Sequence, residues 1–354
     1  MVKLAVHKNL SEISPEVWDG FFENSDRSQI FQSYAWNKVW LECLGKGVEP
    51  LILSVHDNGQ CLGIAPLCIE TRGGKFCRKV VRFISDDRAD YLDFLFKGSN
   101  VMIVHETIKF LCANRGLWDE AEFNNIPDSS LSLAALADGA EENRLPVIIP
   151  APWPCPALVL KEGSANALKK DSLRWARKEL RKMEAKAFHW QSFDEITPRL
   201  EEFFDQHVER WGKTMTPSLF TEDRMREFYR QLVARFSSLG QVVLSALYVQ
   251  NKPIAFHFGF VDQQKLLWYK PSFDKKFARY SPGLVMLAES IEFAQSKGFS
   301  EIDFTRGDEA FKKRFSTLTR YNRSVFIAHS FLFWARRLMV NMIRGIKCRI
   351  KNRA

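Results

Sequence analysis

The chain has 354 residues, which suits two domains of about 150 residues better than one. A composition that is 46% hydrophobic and 13% aromatic supplies packed cores and excludes a largely disordered protein. The net charge of +9 is uneven, because no Asp or Glu follows Glu309 while residues 310–354 contain 12 Lys and Arg. Residues 1–309 therefore carry 39 basic against 42 acidic side chains. This pattern predicts one localised basic surface and no general binding of DNA.

Cysteine and histidine spacings argue against a metal site. The seven Cys are scattered without a C-x-x-C, and the seven His contain no H-x-x-x-H. Free thiols in a reducing compartment are the simplest interpretation. The first ten residues turn polar too early for a secretory signal, and no uncharged apolar run reaches the roughly 20 residues of a spanning helix. The sequence thus predicts a cytoplasmic protein without a metal.

The first half reads as a helical segment followed by strands. Trp18, Phe21, Trp36 and Trp40 lie within residues 15–44, in a region where aromatic and apolar side chains recur at three- and four-residue spacings. The predicted elements that follow are a hairpin at 50–70 around Asp57-Asn58-Gly59, strands at 79–87 and 91–96, a helix at 101–114 and a strand at 117–127.

The second half repeats this order after a proline-rich segment. Residues 147–160 contain four prolines, cannot form a helix and are the best candidate for a domain junction. The predicted elements after it are helices at 165–186, 195–211 and 221–237, a hairpin at 241–273 turning at Asn251-Lys252-Pro253, a helix at 283–297 and a strand at 301–304. A duplicated α/β unit follows, with domains at 1–150 and 151–330 and a tail at 331–354.

Ionisable residues crowd the turn that follows the last predicted strand. The turn contains, within ten residues and around Gly307, the side chains Asp303, Arg306, Asp308, Glu309 and Lys312. Asp303 or Glu309 could serve as a general base if burial raises its pKa, and Arg306 or Lys312 could bind a phosphate or carboxylate of a substrate. The alternative is an ion-pair network that fixes a tight strand-to-helix turn.

The predicted strands at 255–270 contribute three further candidates. His257 shares one face of its strand with Ala255 and Gly259, so it is either a base facing a cleft or a hydrogen-bonded core histidine. Tyr269 and Lys270 end the adjacent strand, where they could reach the same cleft. Tyr269 is as well explained by packing.

The motif order in residues 251–315 resembles a known family, the GNAT-like acyltransferases associated with bacterial cellulose and exopolysaccharide synthesis, which are related to the Fem-type peptidyltransferases. The residues that carry the resemblance are Pro282-Gly283, Gly298, Asp303, Gly307, Glu309 and Lys312. A looser likeness at 31–40, 65–67 and 90–94 extends it over most of 15–330. The family often has an aromatic hydroxyl just before the lysine, and here that position is Phe311.

The resemblance implies an α/β (α+β) protein of tandem GNAT-like domains, each a mixed sheet flanked by helices. It implies acyl transfer to a saccharide or amine acceptor. From their positions in the predicted strands and turn, Tyr269, Lys270, Arg306 and Lys312 are the candidates for binding substrate. Acyl-CoA, such as acetyl-CoA, would be the co-substrate, held at the stretch that includes Arg279, Ser281 and Gly283. Acyl carrier protein and aminoacyl-tRNA remain alternative donors, because Pro282 removes a backbone donor from that stretch. A GNAT-like binding protein without catalytic activity is the third interpretation.

Two basic segments suggest partners. The helix at 165–186 carries Arg174, Arg177, Lys178, Arg181 and Lys182 largely on one side, either as a solvated face or as a docking surface for an acidic carrier or tRNA. In the tail 331–354, a stripe of Arg and Lys runs beside a stripe of Leu, Met and Ile. That pattern is typical of an amphipathic helix on an anionic membrane surface, here the inner face of the membrane, or of a helix packed on the body.

Overall fold

The computed structural model describes residues 2–22, 30–73, 77–161, 168, 171–212, 214 and 217–329. The chain divides into two compact units, the first comprising Met1–Trp153 and Tyr321–Ala354 and the second Pro154–Arg320. Residues 321–329 thus belong to the first unit, whereas the division made from the sequence placed them in the second. The amphipathic helix predicted at 331–354 lies outside the described residues.

The first unit contains a mixed sheet in the order β1-β2-β3-β4-β6-β14, with β5 beside β3 and β7 beside β14. Its strands are β1 (Lys3–His7), β2 (Val48–Asp57), β3 (Gln60–Arg72), β4 (Arg78–Phe83), β5 (Leu95–Phe96), β6 (Glu120–Pro127), β7 (Val147–Ile148) and β14 (Leu318–Ala328). Its helices are α1 (Pro15–Asp19), α2 (Tyr34–Leu44), α3 (Met102–Ala113) and α4 (Ser132–Glu142). The β4–β6 pair is parallel, and the other pairs in this order are antiparallel.

Turn and cap chemistry explains where these elements begin. Asn58 and Gly59 both have positive φ, 49° and 82°, so the predicted β2–β3 hairpin is confirmed with the turn residues expected of it. The segment 15–44 is not one helix, because Ser14 and Ser33 each accept a backbone hydrogen bond and start separate helices, α1 and α2. The sequence patterns did not predict β1 or α4.

The second unit contains a mixed sheet in the order β8-β13-β12-β11-β10-β9. Its strands are β8 (Trp153–Val159), β9 (Lys186–Trp190), β10 (Val242–Val249), β11 (Lys252–Asp262), β12 (Lys265–Phe273) and β13 (Glu301–Asp303). Its helices are α5 (Asp171–Lys182), α6 (Phe193–Ile196), α7 (Leu200–Trp211), α8 (Asp223–Phe236), α9 (Pro282–Ser296) and α10 (Ala310–Phe315). The segment 241–273 is a three-stranded meander, where the sequence predicted a hairpin.

Helices cover both faces of this second sheet. Strand β11 is buried over nine consecutive residues, Ile254–Asp262, as expected for a strand covered on both sides. Its residues Ala255 and Val261 join a cluster with α5 and α9, while Phe256 and Phe258 meet aromatic rings of α7 and α8. Among the described residues, no helix is both long enough and apolar enough to cross a bilayer.

Candidate active site

The second unit contains a pocket of about 640 Å³, a size typical of small-molecule sites. Its walls come from α7, α8, β12, the start of α9 and the residues around α10. The buried part of the wall is largely aromatic and includes Phe220, Tyr229 and Trp268, which are at most 3% exposed. The pocket therefore offers an apolar interior within a single unit of the fold.

The pocket opens where two parallel strands part. β12 and β13 pair only from Lys265–Glu301 to Leu267–Asp303, and residues 268–273 of β12 then line the pocket. The β13 chain turns away at once, because Asp303 Oδ1 accepts a hydrogen bond from the Thr305 N–H at 2.7 Å. Thr305 has φ 56°, the left-handed conformation that such a turn requires. Asp303 thus shapes the gap without lining it.

The corresponding parallel pair in the first unit ends differently. Strands β4 and β6 are paired from Val80–Glu120 to Arg82–Glu122. Directly beyond this pair the rings of Phe83, Phe94 and Phe123 pack together with centroids 5.2–5.5 Å apart. Each is fully buried, so aromatic side chains fill the region that is open in the second unit. Among the described residues, the parallel pair of the first unit therefore ends against packed aromatic side chains, whereas that of the second unit ends at the pocket.

The charged turn before α10 forms an ion pair at the pocket wall. Lys312 is 5% exposed, donates a hydrogen bond to the Arg306 carbonyl at 2.9 Å and lies 3.2 Å from Glu309 Oε2. Gly307, with φ 149°, leaves the space for this pair, since a Cβ there would lie 2.1 Å from Glu309 Oε2 and 2.6 Å from Lys312 Nζ. The turn thus contains an ion pair, and both members of the pair line the pocket. The roles of base and anion-binding group that the sequence suggested for this turn stay predictions.

A neutral histidine lies in the pocket wall on α7. His207 Nδ1 is 2.8 Å from Ser218 Oγ. Burial lowers the pKa of His207 to about 3, with further lowering by the charges of Lys270 and Arg210. The imidazole is consequently uncharged at neutral pH and adds hydrogen-bonding capacity to the wall without adding charge.

Cations at the pocket wall lie against aromatic rings. The Arg210 guanidinium is 4.4 Å from the ring centroid of Phe273 and 4.6 Å from that of Trp211, and all three residues line the pocket. Lys270 Nζ is 4.1 Å from the Tyr269 ring. These contacts hold positive charge beside an apolar cavity, where an anionic or carbonyl oxygen of a substrate can meet it.

Six of the ten site residues chosen from the sequence line this pocket: Tyr269, Lys270, Ser281, Gly283, Glu309 and Lys312. The other four, Asp303, His257, Arg306 and Arg279, do not. Arg306 contributes its carbonyl to Lys312, as described above. Arg279 is exposed, with its guanidinium against the ring and hydroxyl of Tyr280.

His257 lies in the core behind the pocket wall. It is fully buried and stacks on Trp268 with ring centroids 3.8 Å apart, and its Nε2 accepts the Tyr269 N–H at 3.3 Å. Gly259 makes room for the ring, because a Cβ there would lie 2.5 Å from His257 Cε1. Burial, helped by His189, lowers the pKa of His257 to about 3. His257 is thus a core histidine that contacts two residues of the pocket wall, Trp268 and Tyr269.

The start of α9 has few amides for a phosphate. Pro282 has no N–H, and the N–H groups of Leu284 and Val285 both donate to the Ser281 carbonyl, at 3.0 and 3.2 Å. Ser281 is left-handed, with φ 50° and ψ 50°. Of the first-turn residues 282–285, Gly283 alone has an N–H that does not donate to the Ser281 carbonyl. A pyrophosphate would therefore meet fewer backbone donors here than at a glycine-rich helix start.

Sequence reasoning missed the residues that α7 and α8 contribute. Among them are His207, Arg210, Met225 and Tyr229, and Phe220 in the short segment before α8 was missed as well. Their apolar spacing matches ordinary core helices, so it did not distinguish a pocket wall from a packed interface. One local signal was present: His207, Arg210 and Trp211 are three and four residues apart and share one face of α7.

Residues 169–313 match a family model described as an acetyltransferase (GNAT) domain, and this span contains the pocket. Several solved structures share the fold. FemX has a TM-score of 0.59 at 12% identity, with 91% of this chain and 96% of that chain covered. L-PGS from Bacillus licheniformis has a TM-score of 0.57 at 12% identity, with coverages of 94% and 96%.

A tandem GNAT protein from the clavulanic acid biosynthesis pathway also shares the fold, with a TM-score of 0.54 at 10% identity and coverages of 93% and 99%. No curated protein sequence matches significantly. Together these findings establish an α/β fold of tandem GNAT-like units, as the sequence predicted. The second of them carries the match to the acetyltransferase domain and is acyltransferase-like.

Proposed function

We propose that the protein is an acyltransferase in which an amine or hydroxyl of the acceptor attacks an acyl donor in the pocket of the second unit. The observation that carries this proposal is the pocket at the parting of β12 and β13, inside the span that matches an acetyltransferase domain. The charged residues in its wall, Glu309, Lys312 and Lys270, offer the base and the cations that acyl transfer uses.

Five of the predicted site residues receive roles in this reaction. The acceptor's lone pair forms a bond to the carbonyl carbon, Glu309 takes its proton, and the carbonyl electrons move onto oxygen. Lys312 or Lys270 stabilises that oxyanion until it re-forms the carbonyl and expels the donor's leaving group. Asp303 and His257 act by position, the first by holding the turn after β13 and the second by supporting Trp268 and Tyr269.

Acyl-CoA is our proposed donor, because the matched domain is described as an acetyltransferase. Arg279 and the Gly283 N–H are the groups we assign to its phosphates. An acyl chain on a carrier protein is the alternative that the short supply of amides at α9 favours. On the motif resemblance, the acceptor is a saccharide or lipid-linked saccharide in cell-envelope or exopolysaccharide synthesis. The basic tail 331–354 would place the protein at the inner membrane surface.

An aminoacyl-tRNA-dependent ligase is the second candidate. The fold likeness to FemX and L-PGS over more than 90% of this chain supports it, together with the motif resemblance to Fem-type enzymes. In addition, the exposed basic residues Arg174, Lys178 and Arg181 line a groove on α5. This candidate predicts binding of tRNA that weakens steeply with salt. The third interpretation, a GNAT-like protein that binds a partner without catalysis, predicts neither acyl transfer nor tRNA-dependent ligation.

Release of free thiol from acetyl-CoA and octanoyl-CoA, in the presence of amino sugars, tests the proposal. Lys312→Gln should reduce the rate by at least about tenfold, because it removes a charge from the reacting centre. Lys313→Gln is the matched control, since Lys313 is exposed and adjacent, and should leave the rate unchanged. Equal rates in the two variants would exclude Lys312 from the site. No release from either thioester would exclude acyl-CoA as donor.

A further inference from the structure

We infer that the pocket takes an apolar acyl chain of medium length and is not built for an acetyl group. This inference rests on the proposed function and concerns the same pocket. Three observations carry it: the volume, the character of the buried wall and the position of the charges.

The buried wall provides the strongest argument. Three side chains that are at most 2% exposed line the pocket: Phe220, just before α8, and Met225 and Tyr229 in α8. Trp268 adds a fourth buried side chain, and a third aromatic one, from β12. An acetyl group contributes one methyl, so most of the roughly 640 Å³ would hold water against aromatic rings. A longer chain replaces that water and buries its own methylenes.

The charges are arranged as an amphipathic ligand requires. Glu309 is exposed, with 54% of its side-chain surface accessible, so its part of the pocket lining faces solvent. His207 remains uncharged because its pKa is lowered to about 3. The other charged group of α7 in the wall, the Arg210 guanidinium, lies against the rings of Trp211 and Phe273. The thioester would lie near Glu309 and Lys312, and the chain would extend towards Met225.

The inference predicts a dependence of affinity on chain length. Complete burial of one methylene improves binding by about fourfold, and six additional methylenes separate octanoyl from acetyl. Allowing for partial burial, the octanoyl thioester should bind at least about tenfold more tightly. It should also show the more negative heat capacity change on binding, which is the signature of buried apolar surface.

The experiment uses the full chain and thioesters of N-acetylcysteamine, which carry no nucleotide and so probe the pocket whichever donor is natural. Calorimetry compares the octanoyl and acetyl thioesters with the unsubstituted protein and with Met225→Trp. The larger ring should occupy the chain's place and reduce the octanoyl advantage to less than about threefold. Leu239→Trp, at a site that is 65% exposed and outside the pocket lining, is the control and should retain the advantage.

The possible results distinguish a failure of this inference from a failure of the proposed function. Affinities within twofold for the two thioesters, or a failure of both to bind, would overturn the inference even if acetyl transfer were found. An octanoyl advantage that survives in Met225→Trp would also overturn it, provided that the variant unfolds at the temperature of the unsubstituted protein. Tight octanoyl binding without transfer from any donor would sustain the inference while removing the acyltransferase proposal.

Discussion

Gly307 determines whether the ion pair beside the pocket can form. Its φ of 149° lies in the region that favours glycine, and a Cβ would overlap both Glu309 Oε2 and Lys312 Nζ. Gly307→Ala should therefore displace the pair, lower acyl-transfer activity by at least about tenfold and reduce the free energy of unfolding by about 1–3 kcal/mol. Rates and urea denaturation curves of the purified variant measure both effects.

Gly298→Ala is the matched control for that substitution. Gly298 also has a positive φ, 73°, yet a Cβ there would meet nothing within 4 Å. This variant should lose stability through backbone strain and keep its activity. Similar activity in the two variants would show that the arrangement of Glu309 and Lys312 does not matter to the reaction.

Local spacing explains which site residues the sequence revealed. Gly307, Glu309 and Lys312 are within six residues, so their association could be predicted from the turn alone. Tyr269 and Trp268 face the same cavity as Met225 only because β12 and α8 pack together, and no local pattern encodes that contact. His257 was ambiguous for the same reason, because its stacking on Trp268 depends on the register of β11 with β12.

At the scale of elements, Arg177 links α5 to α9. Its guanidinium donates to Glu292 at 2.7 and 2.8 Å and to Glu289 at 3.0 Å. Burial raises the pKa of Glu289, and the Arg177 charge opposes that rise. Arg177→Met would leave a half-buried carboxylate without its cation and should lower the free energy of unfolding by about 1–2 kcal/mol.

A second substitution on the same helix provides the comparison. Arg174 is one turn away, its side chain is 71% exposed, and its contact with Asp171 is 3.6 Å long. Arg174→Met should change stability by less than about 0.5 kcal/mol in the same urea titration. Equal losses of stability in the two variants would mean that the effect comes from removing a positive charge from α5 and not from breaking the contact with α9.

At the scale of the whole molecule, three histidines, of which His257 is buried and His189 and His207 are half-buried, predict a loss of stability in mild acid. Burial lowers the pKa of His189 to about 4 and, with smaller charge effects, those of His207 and His257 to about 3, all below the usual histidine value of 6.5. The unfolded chain therefore binds more protons below pH 6.5. Stability that is complete above this pH is lost as the pH falls towards 4, by about 1.4 kcal/mol per pH unit for each histidine.

Urea denaturation at pH 7, 6 and 5 measures this loss before the carboxylates titrate. His207→Gln should make the decline shallower by about a third, because one of the three proton-binding sites is removed. Thermal unfolding at pH 7 serves as the control for a simple packing defect in the variant. A free energy of unfolding that stays constant between pH 7 and pH 5 would contradict the neutral state of these rings.

Duplication of the α/β unit was visible in the sequence because hairpin turns and proline-rich segments are local signals. Asp57-Asn58-Gly59 marked the first hairpin, since few residues other than Asn and Gly adopt positive φ readily. Strand β9 was missed because Lys186–Trp190 directly follows a strongly basic helix and continues its spacing. The place of β14 beside β6 could not be deduced, because it pairs residues about 200 positions apart.

That pairing has a consequence for biosynthesis. The β6 edge formed by Glu120–Pro127 receives its partner only when residues 322–328 have been translated. At the usual rate of elongation, the nascent first unit would wait roughly 10–40 s with an open hydrogen-bonding edge while the ribosome completes the second unit. Such an edge attracts other extended chains. The polypeptide is therefore most vulnerable to aggregation and most dependent on chaperones during its own synthesis, before the last strand closes the sheet.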